Sequence, residues 1–443
     1  MSTRREFVHR DKLLPFILLV CCFAAWGVVG TMTDPLVQVF STVFSMSTLQ
    51  ASLVQFAYYG AYFLLAIPAA LINHRYSYKT GVLVGLGLAI CGALLFYPAS
   101  LAMTYGLFLL ALFTLAGGLA ILETSANPFV ISMGPEGNAT RRLNLAQSFN
   151  PVGTNIGVLL AATLILPNLN SATAVDRATM SQADLLAIRS TELQAVMLPY
   201  VGFAFVLLAI WIGIALTRMP AQEKAKAKEA QPGNGGFATI CGRLFHNAHY
   251  RWGVVALFFY MAAQTCTWTF TIQYAQQATG ATPAAAGMYL QYSMIVFLVA
   301  RFVATWAMGY IRPSMLLVLL GSAATGLSFY AALNPDLSGV WALVAISACL
   351  SLMFPTIYGI ALMGLDETEA KFGSAGLVMT LLGGALTPMV QGAAIDAFGA
   401  ATSFVVTGAC FLPVAAYGLF HLSTSKAGLF DFRSTARKVA KPA

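Results

Sequence analysis

The sequence predicts an all-α membrane protein, with twelve transmembrane helices in two pseudo-symmetric six-helix bundles. Three observations lead there. The 443-residue chain is 58% hydrophobic and only 9% charged, whereas soluble domains carry about 25% charged residues. A chain so poor in charge cannot clothe itself in a hydrated surface, so most of its exterior faces lipid. Apolar segments recur twelve times, each near the roughly 20 residues that one span requires. A single long charged interruption divides them six and six.

The apolar segments fall at 13–44, 48–73, 79–98, 102–133, 141–166, 196–218, 251–276, 282–310, 313–333, 337–364, 372–396 and 400–422. An even count puts both termini on one side, and cation sorting decides which side. Arg4, Arg5, Arg10 and Lys12 precede the first span, Arg75 and Lys79 follow the second, and Arg141 and Arg142 follow the fourth. Lys224, Lys226, Lys228, Arg243 and Arg251 lie between spans six and seven, and Lys426, Arg433, Arg437, Lys438 and Lys441 lie in the tail. The opposite loops hold only Arg177 and Arg189. The termini are therefore expected in the cytoplasm of a bacterial inner-membrane protein. The net charge of +8 reflects this sorting, so it does not point to nucleic acid as a partner. The apolar run after Lys12 is too long for a signal-peptide core and reads as a retained first span.

The longest polar interruption, 217–251, centres on KAKAKEAQPGNGG and reads as a solvated linker. The expected organisation is an N-terminal six-helix bundle (1–217), a cytoplasmic linker (218–250), a C-terminal six-helix bundle (251–425) and a cytoplasmic tail (426–443). Two bundles joined this way enclose a site near the membrane midplane in secondary carriers. The stretch 167–194 is read as an outer surface loop, with SQADLLAIRSTELQ able to form a short amphipathic helix capped by Ser181. Cysteines at 21, 22, 91, 241, 266, 349 and 410 form no CxxC pair and mostly sit in apolar segments, so they read as small hydrophobes. Gly81-x-x-x-Gly85 and Gly153-x-x-x-Gly157 permit close helix contact.

Ionisable residues inside a membrane are costly and mark function. In the first half the apolar segments contain two acids, Asp34 within GTMTDP and Glu123 within ETSANP. Each lies about two-thirds along its span, by chain direction on opposite sides of the midplane. Desolvation disfavours a bare carboxylate, so each is a candidate for reversible proton binding. The plainer alternative is a structural carboxyl bonded to nearby backbone or hydroxyls. Pro35 and Pro128 remove backbone donors beside them, a break that suits a cavity wall.

Amides supply neutral donors and acceptors for sugar hydroxyls. RRLNLAQSFNPVGTNIG carries Asn144, Gln147, Asn150 and Asn155; Gln147 and Asn150 are read as substrate contacts and Asn144 as structural. Asn127 follows Glu123 by one turn. In the seventh span Gln264, Thr267, Trp268 and Thr271 lie at helical spacing, and an aromatic beside amides suits the apolar face and hydroxyl edge of a pyranose. Tyr289, Gln291, Tyr292 and Tyr358 are further candidates, against packing or an interfacial aromatic belt as the alternative. Arg301 reads as a snorkelling cation and Asp396 as a helix-end residue. No nucleotide-binding loop, nucleophile elbow or HExxH is present, so no cofactor or metal is expected.

The blocks QFAYYGAYFLLAIPAALINHRYSYKTGVLVGLGL (55–88), LETSANPFV (122–130), RLNLAQSFN (142–150), AQTCTW (263–268) and GSAGLVMTLLGGALTPMVQG (373–392) keep their order and spacing. Over essentially the whole length they resemble the fucose/glucose/galactose permease family of the major facilitator superfamily. The resemblance implies a major facilitator fold, a sugar substrate, proton symport and a monomer. It implies that Asp34 and Glu123 are the paired membrane carboxylates of that family, and that Gln147 and Asn150 are polar cavity residues. Two stretches depart: HRYSYKTG lacks the acid of the general superfamily signature, a lack the fucose group shares. GVVGTMTD stands where fucose carriers have an Asn-rich stretch.

The expected function is import of a monosaccharide, L-fucose or a hexose such as galactose or glucose, with a proton by alternating access. Its partners would then be the sugar, protons and membrane lipid. Export of another small molecule on the same fold is the first alternative. An intramembrane transferase is the second, and it would need a reactive His, Cys or acid pair on one face.

Overall fold

The computed structural model describes residues 7–33, 53–165, 179–217 and 237–424, together with positions 36, 40, 43, 44, 46, 168 and 177. All regular elements among them are helical. In chain order the principal helices are α1 (Leu13–Thr33), α2 (Leu53–Arg75), α3 (Tyr78–Ala102), α4 (Tyr105–Ile131), α5 (Ala139–Gln147), α6 (Phe149–Leu160), α7 (Gln182–Leu216) and α8 (Phe237–His246). They continue with α9 (Ala248–Thr279), α10 (Pro283–Ala307), α11 (Pro313–Leu333), α12 (Leu337–Leu350), α13 (Met353–Ala361), α14 (Glu367–Met379), α15 (Gly383–Phe398) and α16 (Ala400–Thr424). Among the described residues twelve helical stretches are long and apolar enough to cross a membrane. Three are composite: α5 with α6, α12 with α13, and α14 with α15.

Starts and stops follow local chemistry. Ser77 accepts from the Thr80 amide, Asn247 from Tyr250, Thr282 from Ala285, and Asp366 with Glu369 forms a reciprocal capping box. Gly280 ends α9 at φ +67°, where a side chain would be strained. Lys79 donates to the carbonyls of Ala215 and Thr217, at 3.0 and 2.9 Å, and so caps the end of α7. Ser181 caps α7 as expected, yet the helix does not stop at 194. It runs unbroken for 35 residues from Gln182 to Leu216, about 52 Å at 1.5 Å per residue. The outer stretch expected as a loop is thus, from Gln182, a helical extension of the sixth span. No breaker interrupts it except Pro199, which α7 accommodates.

The chain forms two compact units. One comprises Met1–Phe245 with Gly364–Ala385, the other His246–Met363 with Leu386–Ala443. The eleventh span, Glu367–Phe398, is therefore shared between them. In the first unit α3 packs on α4 because neither presents bulk at the crossing: a Cβ on Gly85 would lie 2.6 Å from the Leu122 nitrogen and 2.8 Å from the Gly118 carbonyl. Gly153 and Gly157 play the same part for α6 against α1. Phe96 and Tyr200 stack at 4.0 Å and 4°, tying α3 to α7. In the second unit α16 packs on α11 and α9, while α10 and α11 both pack on α12.

Two buried cations are held without exposure to water. Arg142, fully buried, donates to the carbonyls of Val130, Ile131, Gly134, Pro135 and Phe7, and so caps the end of α4. Arg177 meets Glu192 through two bonds, 2.9 and 2.5 Å, with both side chains buried.

Candidate functional site

Helix α4 is buried continuously from Leu115 to Val130. Its small residues Gly117, Gly118 and Ala120 let neighbours approach closely and seal the following turns from lipid. Glu123 sits in this stretch at 1% exposure, and neither carboxyl oxygen has a hydrogen-bond partner. One turn later Asn127 is fully buried, and its Oδ1 accepts from the Gln147 amide at 2.8 Å. That bond orients Asn127 and leaves its Nδ2 without a partner. Asn127, one turn after Glu123 on α4, is thus joined to Gln147 of α5. Asn150 is half-buried and donates to the Phe23 carbonyl at 3.3 Å, at the crossing of α6 and α1. Asp34 and Pro35 lie outside the described residues.

Directly after Glu123 the chain is fixed by a second network. The Thr124 carbonyl accepts from Ser374 at 2.6 Å and from Asn73 at 3.4 Å, and Ser125 donates to Asn73 at 2.9 Å. The peptide that carries the carboxyl is therefore anchored from α2 and α14, while the carboxyl itself is left open.

Other polar groups bond within their own helices, Asn144 among them as its structural reading expected. Asn144 donates to the Thr140 carbonyl at 2.9 Å and Asn155 to the Pro151 carbonyl at 2.8 Å, both one turn back. Thr267 and Thr271 likewise bond the carbonyls of Ala263 and Thr267. Such back-bonding spends the hydroxyl within its own helix.

The second unit holds an aromatic group. Trp268 Nε1 donates to the Ser347 hydroxyl at 3.2 Å, and its ring meets Phe297 edge-on at 5.0 Å. Gln264 and Gln291 are half-buried. Tyr292 stacks on Trp341 at 5.9 Å and 12°, with Tyr289 edge-on to the same indole. Tyr358 is fully buried and packs against Phe354. Arg301 corrects the snorkelling expectation. It is 3% exposed, donates to the Ser351 carbonyl, and lies 4.6 Å over the Phe297 ring. A guanidinium held by a carbonyl and a ring face has no need to reach the interface. Asp396 is exposed in the last turn of α15, as a helix-end residue should be.

One residue of this site had no distinguishing mark in the sequence. Tyr62 on α2 is 1% exposed and within electrostatic reach of Glu123, and its hydroxyl makes no hydrogen bond. Tyr58, Tyr59 and Tyr62 look alike in QFAYYGAYF; only the packing of α2 on α4 separates them.

Twelve candidate spans among the described residues, and in the first unit a buried carboxyl beside the Asn127 amide, define a membrane carrier with a polar site maintained inside apolar helices. The major facilitator superfamily model matches residues 16–377, and the chain belongs to that superfamily. It is a multi-pass transport protein and not an enzyme. It is 42% identical to the L-fucose-proton symporter of Haemophilus influenzae, over 93% of this chain and 97% of that one. It is 32% identical to a glucose/galactose transporter of Brucella abortus, over 90% and 92% of the two chains. The crystal structure of the E. coli fucose:proton symporter matches with a TM-score of 0.85 at 35% identity, covering 93% of this chain and 99% of that one.

Proposed function

We propose that the chain is a proton-coupled symporter that imports a monosaccharide, L-fucose or a related hexose such as galactose or glucose, by alternating access. The observation that carries this reading is Glu123, a buried carboxyl with no partner in full hydrogen-bond geometry, beside the Asn127 amide that Gln147 holds in place. A structural carboxyl would be bonded; this one is left free to exchange a proton and to meet a ligand. Relatives named as L-fucose-proton symporters and glucose/galactose transporters over about nine-tenths of the chain support the same reading.

Asp34 and Glu123 bind the proton and contribute to the sugar site. Asn127, Gln147 and Asn150 from the first unit, and Gln264, Trp268, Gln291 and Tyr358 from the second, contact the sugar. The chain acts as a monomer in a bacterial inner membrane, surrounded by lipid, with both termini in the cytoplasm. Its functional division is a six-helix bundle over 1–217, a linker over 218–250, a second bundle over 251–425 and a tail over 426–443.

The test is uptake of radiolabelled L-fucose, D-galactose, D-glucose and D-mannose into proteoliposomes with and without an imposed inward proton gradient. Accumulation of one sugar only with the gradient supports the reading. No accumulation of any sugar refutes it and leaves the fold standing.

A further inference from the structure

Tyrosines buried for packing give their hydroxyls a partner. Tyr260 donates to the Leu350 carbonyl at 3.3 Å, Tyr274 to the carbonyls of Ala331 and Asn334 at 2.7 and 2.8 Å, and Tyr417 to the His249 carbonyl at 3.1 Å. Tyr62 differs from these three. Its ring packs against Tyr58 at 5.3 Å, and Tyr58 and Trp26 are close enough to interact, yet no group stands in hydrogen-bonding geometry to its hydroxyl. An orphaned buried hydroxyl carries a desolvation cost that Phe in the same space would not. A side chain serving packing alone would gain by losing the oxygen.

The orphan is not isolated. Tyr62 Oη, both oxygens of Glu123 and Asn127 Nδ2 are four buried polar atoms with no partner in full hydrogen-bond geometry, on the facing helices α2 and α4, and Asn127 lies within reach of the Glu123 carboxyl. Their inventory is complementary: the phenol both donates and accepts, the amide nitrogen donates, and the carboxyl accepts. Adjacent hydroxyls of a sugar present matching donors and acceptors. Gln147 holds Asn127 in register from the other side, so the amide is already oriented before a ligand arrives.

We infer that Tyr62 is a sugar-contacting, specificity-determining residue whose hydroxyl bonds one hydroxyl of the substrate beside Glu123 and Asn127. This rests on the sugar-symport reading above. A site built to hydrogen-bond a ligand hydroxyl rejects an analogue that lacks it, because the site's own buried groups are then left unpaired.

The experiment uses the full-length protein and Tyr62→Phe in proteoliposomes, with exchange of L-fucose, D-galactose, D-glucose, D-mannose and their monodeoxy derivatives measured for both. Thermal unfolding without sugar is recorded in parallel. For the sugar that wild type exchanges, the half-saturation concentration should rise about tenfold in Tyr62→Phe, equivalent to about 1.4 kcal/mol. The maximal rate should stay within about twofold, and the sugar-free protein should unfold at the same temperature or higher. One monodeoxy derivative should be discriminated against by wild type but no longer by the variant. A wild type that exchanges sugar, with a variant of unchanged half-saturation and unchanged analogue preference, overturns the role of Tyr62 alone. A variant that unfolds earlier and loses rate equally for every sugar assigns the hydroxyl to structure and also overturns it. A wild type that exchanges no sugar overturns the symport reading, and this inference with it.

Discussion

Replacing Glu123 by Gln separates coupling from folding. Both carboxyl oxygens are buried and unbonded, so the amide removes no hydrogen bond of the sugar-free protein. Unfolding free energy should change by no more than about 1 kcal/mol, within the range of substitutions that break no contact. The functional effect should be far larger. A driving force of 100 mV is worth about 2.3 kcal/mol per elementary charge. At 1.36 kcal/mol per decade, that concentrates a sugar about 50-fold when one proton accompanies each molecule. Gln offers no exchangeable charge, so if Glu123 is the coupling acid, accumulation falls from that ceiling to about unity. Exchange of sugar across the membrane without a gradient should continue. The assay is paired: gradient-driven accumulation and counterflow in proteoliposomes, with thermal unfolding in detergent as the folding control. Full gradient-driven accumulation by Glu123→Gln would refute the assignment of the coupling proton to this residue and move it to Asp34.

Three further outcomes follow from the packing and the charges. Gly85→Ala places a methyl against the backbone of both Leu122 and Gly118; neither can swing aside, so the α3–α4 crossing should lose about 1–3 kcal/mol, read as an earlier unfolding midpoint. Arg177→Met leaves Glu192 buried without its bidentate partner and should cost about 3–5 kcal/mol, whereas the double variant with Glu192→Leu should cost less than either single change, measured as a thermal double-mutant cycle. The Asp336 carboxyl is held below the ordinary carboxylate range by the Ser338 hydroxyl and then by the Gly339 and Ser338 amides. Because its folded value is depressed, its contribution is present above the unfolded value of about 3.9 and is lost as pH falls through the lower folded value. Asp336→Ala should therefore unfold earlier than wild type at neutral pH, with the gap narrowing as the pH is lowered below about 3.9, followed by unfolding temperature against pH.

How far the sequence reached can be seen residue by residue. The twelve spans were legible because a run of about 20 apolar residues is a local property that lipid enforces without reference to the rest of the chain. Glu123 was legible for a related reason, since an acid inside such a run is conspicuous whatever surrounds it. Asn127, Gln147 and Asn150 followed from helical spacing. The Ser181 cap was readable, but the continuity of α7 through 194 was not, because amphipathic and apolar turns join without a breaker.

Tertiary structure alone decided which polar groups are satisfied. Thr267 and Thr271 look like site residues until their own helix is seen to absorb them, and Asn144 bonds its own helix as its structural reading expected. Arg301 reads as a snorkelling cation until Phe297 and Ser351 enclose it. The Thr124 carbonyl beside Glu123 is bonded by Ser374, 250 residues away in sequence, and the eleventh span divides between two units at Ala385. Tyr62 differs from Tyr58 only in what lies opposite it. Hydropathy is written along the chain, so the sequence by itself determined the membrane class, the spans and the acids within them. Hydrogen-bond satisfaction is a property of neighbours brought together from distant segments, so only the folded chain decided which of its polar atoms stand open to a ligand.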